Sequence, residues 1–149
     1  MTIRRIAAAD RTSWLGMRDA LWPGAFDDHD RETRAFFEAG AAPFVVFVAE
    51  SDGRLVGFLE LDFRKYAEGC ESSPVPFIEG WYVDAEFRGR GIGRALVKAA
   101  EAHAREAGQH EIASDAELTN VDSIAAHRAL GFEEIERIVC FRRSLRERR

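Results

Sequence analysis

The chain has 149 residues, 46% hydrophobic and 32% charged, which suits one globular domain spanning residues 1–149 and not a disordered or fibrous protein. Lys and Arg number 21 against 26 Asp and Glu, a net charge of −5, so the basic excess with which a general nucleic-acid binder neutralises phosphates is missing. No apolar run approaches the ~18 residues of a membrane-spanning helix, Met1–Ala9 lacks a signal-peptide core, and Cys70 and Cys140 suggest neither a disulfide framework nor a metal site. The expectation is a soluble, cytoplasmic protein that holds no metal.

The elements follow in chain order. Thr2–Ile6 alternates as a short strand. Asp10 stands where an N-cap belongs, before a helix carrying Trp14, Met17 and Leu21 on one face and stopped by Pro23. A second helix is predicted from about Asp30 to Ala39, with Phe36 and Phe37 inward and Gly40 as its stop. Phe44–Glu50 and Arg54–Asp62 are apolar, β-branched runs joined by Ser51-Asp52-Gly53, which predicts a hairpin. Arg64–Pro76 reads as a polar loop, and loops of that length are often functional. Phe77–Val83 is the next strand. Gly91–Ala107 reads as a helix with Ile92, Ala95, Leu96 and Ala99 as its stripe, a Glu101–Arg105 pair and Gly108 at its end. A short strand at Glu111–Ser114, a helix over Val121–Leu130 closed by Gly131, and a last strand at Ile135–Arg142 complete an α/β (α+β) chain with a mixed sheet.

The sharpest local signal is Arg88-Gly89-Arg90-Gly91-Ile92-Gly93, between a strand and a helix start. Glycines let backbone approach a ligand closely, and the first N–H groups of a helix have no internal partner. That combination suits a phosphate or pyrophosphate. A P-loop is excluded because its lysine and hydroxyl are missing, and a dinucleotide fingerprint fails because Arg94 stands where its last glycine belongs. A purely structural strand–helix turn is the remaining alternative.

Arg-x-x-Gly-x-Gly after a strand resembles the acetyl-CoA loop of the GNAT superfamily of N-acetyltransferases. Asn120 with Ser123, followed by Leu130-Gly131-Phe132, is similar to that superfamily's later motif. The resemblance implies a single-domain fold whose central sheet has splayed strands. It also implies pantetheine bound along the backbone of Trp81, Tyr82 and Val83, pyrophosphate on the amides of Arg88, Gly89, Arg90, Gly91, Ile92 and Gly93, and a cofactor contact from Asn120. Leu21-Trp22-Pro23-Gly24, Gly69-Cys70 with Ser72-Ser73-Pro74, Phe77 with Glu79-Gly80, Ala113-Ser114-Asp115 and His127 with Ala129–Glu134 further resemble the aminoglycoside 6'-N-acetyltransferases. By that resemblance Trp22, Tyr66, Glu79, Asp115 and Glu136 contact the antibiotic, and the enzyme is a homodimer.

A polycationic sugar needs carboxylates and apolar walls, and Glu71, Glu79, Asp115 and Glu136 with Trp22 and Tyr66 offer both. Each has a plainer alternative: Trp22 as a core cap, Tyr66 as a loop residue, Glu136 as part of a solvated charge run, Asp115 as a turn residue. Glu79 is the sharpest, since it interrupts an apolar run where a charge needs a partner or a wet cleft. Direct transfer from acetyl-CoA needs a base, assigned to Glu79 through a water, with Asp115 orienting the amine. It also needs an oxyanion donor, the backbone N–H of Val83 or its neighbour. Many superfamily members protonate the leaving thiolate with a tyrosine. His127 stands there instead, either as the acid or as a packed helix residue. The competing functions are acetylation of another polyamine or a peptide amine, and a catalytically silent acyl-CoA-binding module.

Overall fold

The computed structural model describes residues 1–40 and 43–148, which form two compact units, Met1–Asp115 and Ala116–Arg149. The first holds a five-stranded sheet in the order β1 (Thr2–Arg5), β2 (Val45–Ser51), β3 (Arg54–Arg64), β4 (Val75–Val83) and β5 (Ala113–Ser114). Its pairings are antiparallel except β4 with β5, which is parallel. The mixed sheet expected from the sequence is present. The hairpin turn is tighter than Ser51-Asp52-Gly53: Ser51 pairs with Arg54, leaving Asp52 and Gly53 at φ 51° and 74°, the left-handed pair that matches strand twist.

Neighbouring residues of a strand face opposite sides of the sheet, and this chain uses both sides. On one side α1 (Arg11–Leu21) and α2 (Phe26–Ala39) bring Trp14, Met17, Phe36 and Phe37 onto Val46, Val48 and Phe58. On the other lies α3 (Ile92–Glu106), where Leu96 sits against Gly57 and His103 meets the rings of Phe47 and Phe63.

Asp10 leads into α1 without capping it through its side chain. Its carboxylate instead accepts the Ala7 N–H at 2.8 Å and the Arg4 guanidinium at 2.7 and 3.1 Å, and Arg4 holds it below the usual carboxylate range. The second helix starts at Phe26 rather than Asp30, because Gly24 at φ 93° completes the turn after Pro23 and Asp27 and Asp28 suit the positive end of the helix. Gly40 ends it at φ 66°. The buried stripe of α3 is Ile92, Leu96, Val97, Ala100 and Ala104, with Ala95 and Ala99 at its half-buried margin. Arg64, Val75 and Pro76 belong to strands, so the predicted polar loop contracts to residues 65–74.

In the second unit α4 (Val121–Ala129) is capped by Asn120, whose Oδ1 accepts the Ser123 N–H at 3.1 Å, and Gly131 at φ 89° follows it. The last strand expected at Ile135–Arg142 does not form: residues 132–148 carry no helix or strand. An extended segment becomes a strand only with a ladder partner, and here Ile135, Ile138, Val139 and Phe141 remain exposed. Among the described residues no helix is long and apolar enough to cross a membrane.

Candidate active site

The site begins where two strands part. β4 and β5 run parallel through only two pairs, Phe77 with Ala113 and Ile78 with Ser114, while β4 continues to Val83 against β3 alone. Glu79 and Asp115 are therefore the first residues beyond the paired stretch on their respective strands. In the β3–β4 register Leu61 pairs with Ile78 and Glu60 with Gly80, so Glu79 is the extra residue of a β-bulge. A bulge leaves its residue out of the ladder and re-aims the side chain. This gives a structural reason for a carboxylate inside an apolar run.

The backbone past the bulge has a definite polarity. The Asp84 N–H donates to the Val56 carbonyl at 2.8 Å, and alternation then turns the polar groups of Trp81 and Val83 away from β3, toward the side β5 has left. The Val83 carbonyl already accepts Arg88 Nε at 2.9 Å. A short 3-10 turn, Ala85–Phe87, leads into the glycine loop, where Gly89 and Gly91 take φ 77° and 82°. The first bond of α3 runs from the Ala95 N–H to the Gly91 carbonyl at 3.0 Å, so the preceding amides lack helical acceptors and an anion is favoured at this end.

Within this loop the glycines do different work. Nothing lies within 4 Å of a Cβ built on Gly89 or Gly91, so these positions need left-handed backbone and leave open space for a ligand. At Gly93 the same atom would stand 3.2 Å from Trp81, whose indole N–H donates to the Gly93 carbonyl at 3.2 Å. Gly93 thus serves close strand–helix packing. Arg88 lies 6.0 Å from the centroid of the Tyr82 ring and Arg90 5.0 Å from that of Phe87.

On the acceptor side, both oxygens of Glu79 are held by Arg64, Nε at 2.7 Å and Nη2 at 2.8 Å. Asp115 is exposed. Trp22 is half-buried and meets the His29 ring at a centroid distance of 5.8 Å, while Tyr66 stands exposed in the 65–74 loop. That loop is fixed by a residue to which the sequence alone assigns no role. The Glu111 carboxylate accepts the N–H groups of Glu71 and Ser72 and the Ser72 hydroxyl, and these bonds, led by the Ser72 hydroxyl, hold it below the usual range. No sequence signal marks Glu111, because its partners are mostly main-chain amides.

Trp22, Tyr66, Glu79, Trp81, Tyr82, Val83, residues 88–93 and Asp115 thus lie in the first unit, while Asn120, His127 and Glu136 lie in the second. There the Asn120 side chain serves as the cap of α4. His127 Nδ1 is 2.7 Å from the Ser123 carbonyl oxygen, which requires hydrogen on that nitrogen, and its ring meets Phe132 edge-on at 5.3 Å. Glu136 is exposed in the segment without regular structure.

A parallel strand pair that splays beside a glycine turn at a helix start is the architecture of an acyl-CoA-dependent transferase. The family model described as the acetyltransferase (GNAT) family matches residues 12–132, and the chain belongs to that family. It is 47% identical over 145 residues to an aminoglycoside N(6')-acetyltransferase type 1 of Stenotrophomonas maltophilia, covering 97% of this chain and 94% of that one. A namesake from Klebsiella aerogenes is also 47% identical, over 96% of both chains. The solved structure of AAC(6')-Iy with the bisubstrate analogue CoA-S-monomethyl-acetylneamine superposes with a TM-score of 0.89 at 36% identity, covering 96% of this chain and 97% of that one. The aminoglycoside 6'-N-acetyltransferase AAC(6')-Ig of Acinetobacter haemolyticus gives 0.90 at 35% identity, covering 98% and 100%.

Proposed function

We propose that the protein is an acetyl-CoA-dependent aminoglycoside 6'-N-acetyltransferase that confers antibiotic resistance, and that the whole chain acts as one cytoplasmic acetyltransferase domain. The names of relatives at 47% identity over nearly the full chain support the substrate class. The observation that carries the reading is Glu79, lifted out of the β4 ladder beside the end of β5, where Asp115 follows.

Acetyl-CoA supplies an activated acetyl thioester. The amides of Arg88, Gly89, Arg90, Gly91, Ile92 and Gly93 take its pyrophosphate at the positive end of α3. The polar backbone groups of Trp81 and Val83, which face away from β3 on either side of Tyr82, take the pantetheine arm. The aminoglycoside lies against Trp22 and Tyr66, with its ammonium groups met by Glu79 and Asp115. An ammonium has no lone pair to donate, so Glu79 removes a proton through a water while Asp115 orients the amine. The new N–C bond forms as the C–S bond breaks, and the Val83 N–H meets the negative charge gathering on the carbonyl oxygen. The nitrogen sheds its second proton as the N–C bond forms, and that proton, passed on through the water, converts the departing thiolate to the thiol. Transfer is direct, within a ternary complex. Burial pushes the Cys70 thiol up, which disfavours the thiolate that an acetyl-cysteine route would need.

The functional unit in this reading is a homodimer. Ile135, Ile138, Val139 and Phe141 are all more than half exposed, and so many apolar side chains exposed in one short segment support that reading.

A thiol-release assay with acetyl-CoA and kanamycin A, tobramycin, spermidine and a peptide tests the activity. Turnover of the aminoglycosides, lost when the 6'-amine becomes a hydroxyl, is the expected result. Glu79→Gln should lower kcat about 10²-fold or more while acetyl-CoA still binds. Turnover with spermidine or peptide alone would overturn the substrate class.

A further inference from the structure

Arg64 is a cation inside the very site that a polycationic acceptor must enter. Its side chain leaves the last residue of β3, and its guanidinium carbon stands 3.5 Å from the centroid of the Phe77 ring. Its fork then closes on both oxygens of Glu79 at 2.7 and 2.8 Å. Planar guanidinium on planar carboxylate is the tightest ion-pair geometry available to side chains. Asp115 and Glu68 add favourable charge on Arg64, after the leading contribution of the Glu79 hydrogen bond. One guanidinium thus answers three carboxylates, while Phe77 beneath it is only 2% exposed.

The Arg64 and Glu79 side chains are 43% and 28% exposed, so water can replace either partner and the pair can open. We infer that Arg64 is the resident cation of the acceptor site: its guanidinium holds the place on Glu79 that an acceptor ammonium takes, and the acceptor enters by cation exchange. This rests on the reading of Glu79 and Asp115 as acceptor-binding residues. The exchange also makes the site selective. A lone amine gives up as much as it gains, because it replaces one cation on Glu79 with another. An acceptor with several ammonium groups displaces Arg64 and engages Asp115 as well, and the departing guanidinium uncovers the face of Phe77 for a sugar ring.

The test is the split between KM and kcat for wild type, Arg64→Lys and Arg64→Gln with kanamycin A, with KM for acetyl-CoA as the control. Lysine keeps the charge but loses the fork, and glutamine loses both. KM for kanamycin A should therefore fall in the order wild type, lysine, glutamine, by about three- to tenfold across the series, with KM for acetyl-CoA unchanged. A guanidinium that merely positions Glu79 gives the reverse order, with kcat falling as KM rises. A reversed or flat order in an enzyme that acetylates kanamycin A overturns the inference and leaves the proposed function standing. Should Arg64→Gln fail to fold, a KM for Arg64→Lys at or above wild type overturns it alone. Failure of the wild type itself to acetylate kanamycin A removes the substrate reading and the inference together.

Discussion

Trp22 fills the space that a side chain at position 80 would occupy: a Cβ on Gly80 would stand 2.6 Å from Cη2 of the indole and 3.3 Å from the Phe58 ring. Gly80 directly follows the bulge residue Glu79, and its missing side chain lets the indole close over β4 next to the candidate base. Behind the indole, the Arg18 guanidinium lies 5.4 Å from the centroid of the Trp22 ring and His29 Nε2 is 2.9 Å from the Trp22 carbonyl oxygen. The wall proposed for the aminoglycoside is therefore held from three sides. Gly80→Ala must displace the indole at a cost of about 1–3 kcal/mol. KM for kanamycin A should rise while KM for acetyl-CoA stays the same, a split that steady-state kinetics with each substrate varied in turn will read.

Glu60 makes the pH dependence of stability testable. It is buried with Trp14 Nε1 at 3.1 Å and Arg18 Nε at 3.0 Å, and burial outweighs both, pushing its carboxyl up to about 7 from an ordinary 4.5. Between those values the unfolded chain has released the proton and the folded one retains it, so stability falls as pH rises through the window. Glu60→Gln cannot titrate and removes this slope. Denaturant midpoints for both proteins from pH 4.5 to 8 should show wild type losing stability relative to the variant toward pH 7, by at most about 3 kcal/mol, and running parallel above it. Arg4 holds Asp10 low, so that group acts in the opposite sense and only below pH ~4.

Strand and helix positions were legible because periodicity and turn chemistry are local. Asp52-Gly53 named its hairpin, and Gly40, Gly108 and Gly131 marked helix ends where the backbone does turn left-handed. The Arg88–Gly93 loop was legible for the same reason. Less accessible was anything set by pairing between distant residues. The bulge that exposes Glu79 arises from the register of β3 against β4, and Arg64 reaches Glu79 across 15 positions of sequence. Glu111 secures a loop 40 positions away through amides common to any sequence. The 135–142 segment carries an apolar run, Ile138 to Phe141, yet an apolar run alone supplies no ladder, and residues 132–148 stay without regular structure.

Gly91 isolates backbone conformation from packing. It takes φ 82° at the start of α3, and a Cβ at this position would find no atom within 4 Å. Gly91→Ala therefore clashes with nothing and costs only the strain of left-handed backbone, about 1–2 kcal/mol. If the loop relaxes to relieve that strain, the amides move off the proposed pyrophosphate position. Thermal unfolding should drop by a few degrees, and acetyl-CoA affinity, measured by calorimetry, should fall while KM for kanamycin A holds. Loss of stability with unchanged acetyl-CoA affinity would limit the glycine to a structural turn.

The proposed homodimer is testable at Val139 and Phe141. Val139 is 74% and Phe141 93% exposed, and covering such a side chain fully is worth about 1.5–3 kcal/mol. A charge at either position could not be covered without a partner. In a homodimer that buries this segment, Val139→Asp with Phe141→Asp should raise the dimer dissociation constant by at least ~100-fold, converting two such side-chain burials at about 1.4 kcal/mol per tenfold. Sedimentation velocity over a concentration series reads that change directly. Circular dichroism on the same samples should show the helices intact, because the segment contributes no regular structure of its own. A wild-type protein that sediments as a monomer at every concentration would refute the dimer.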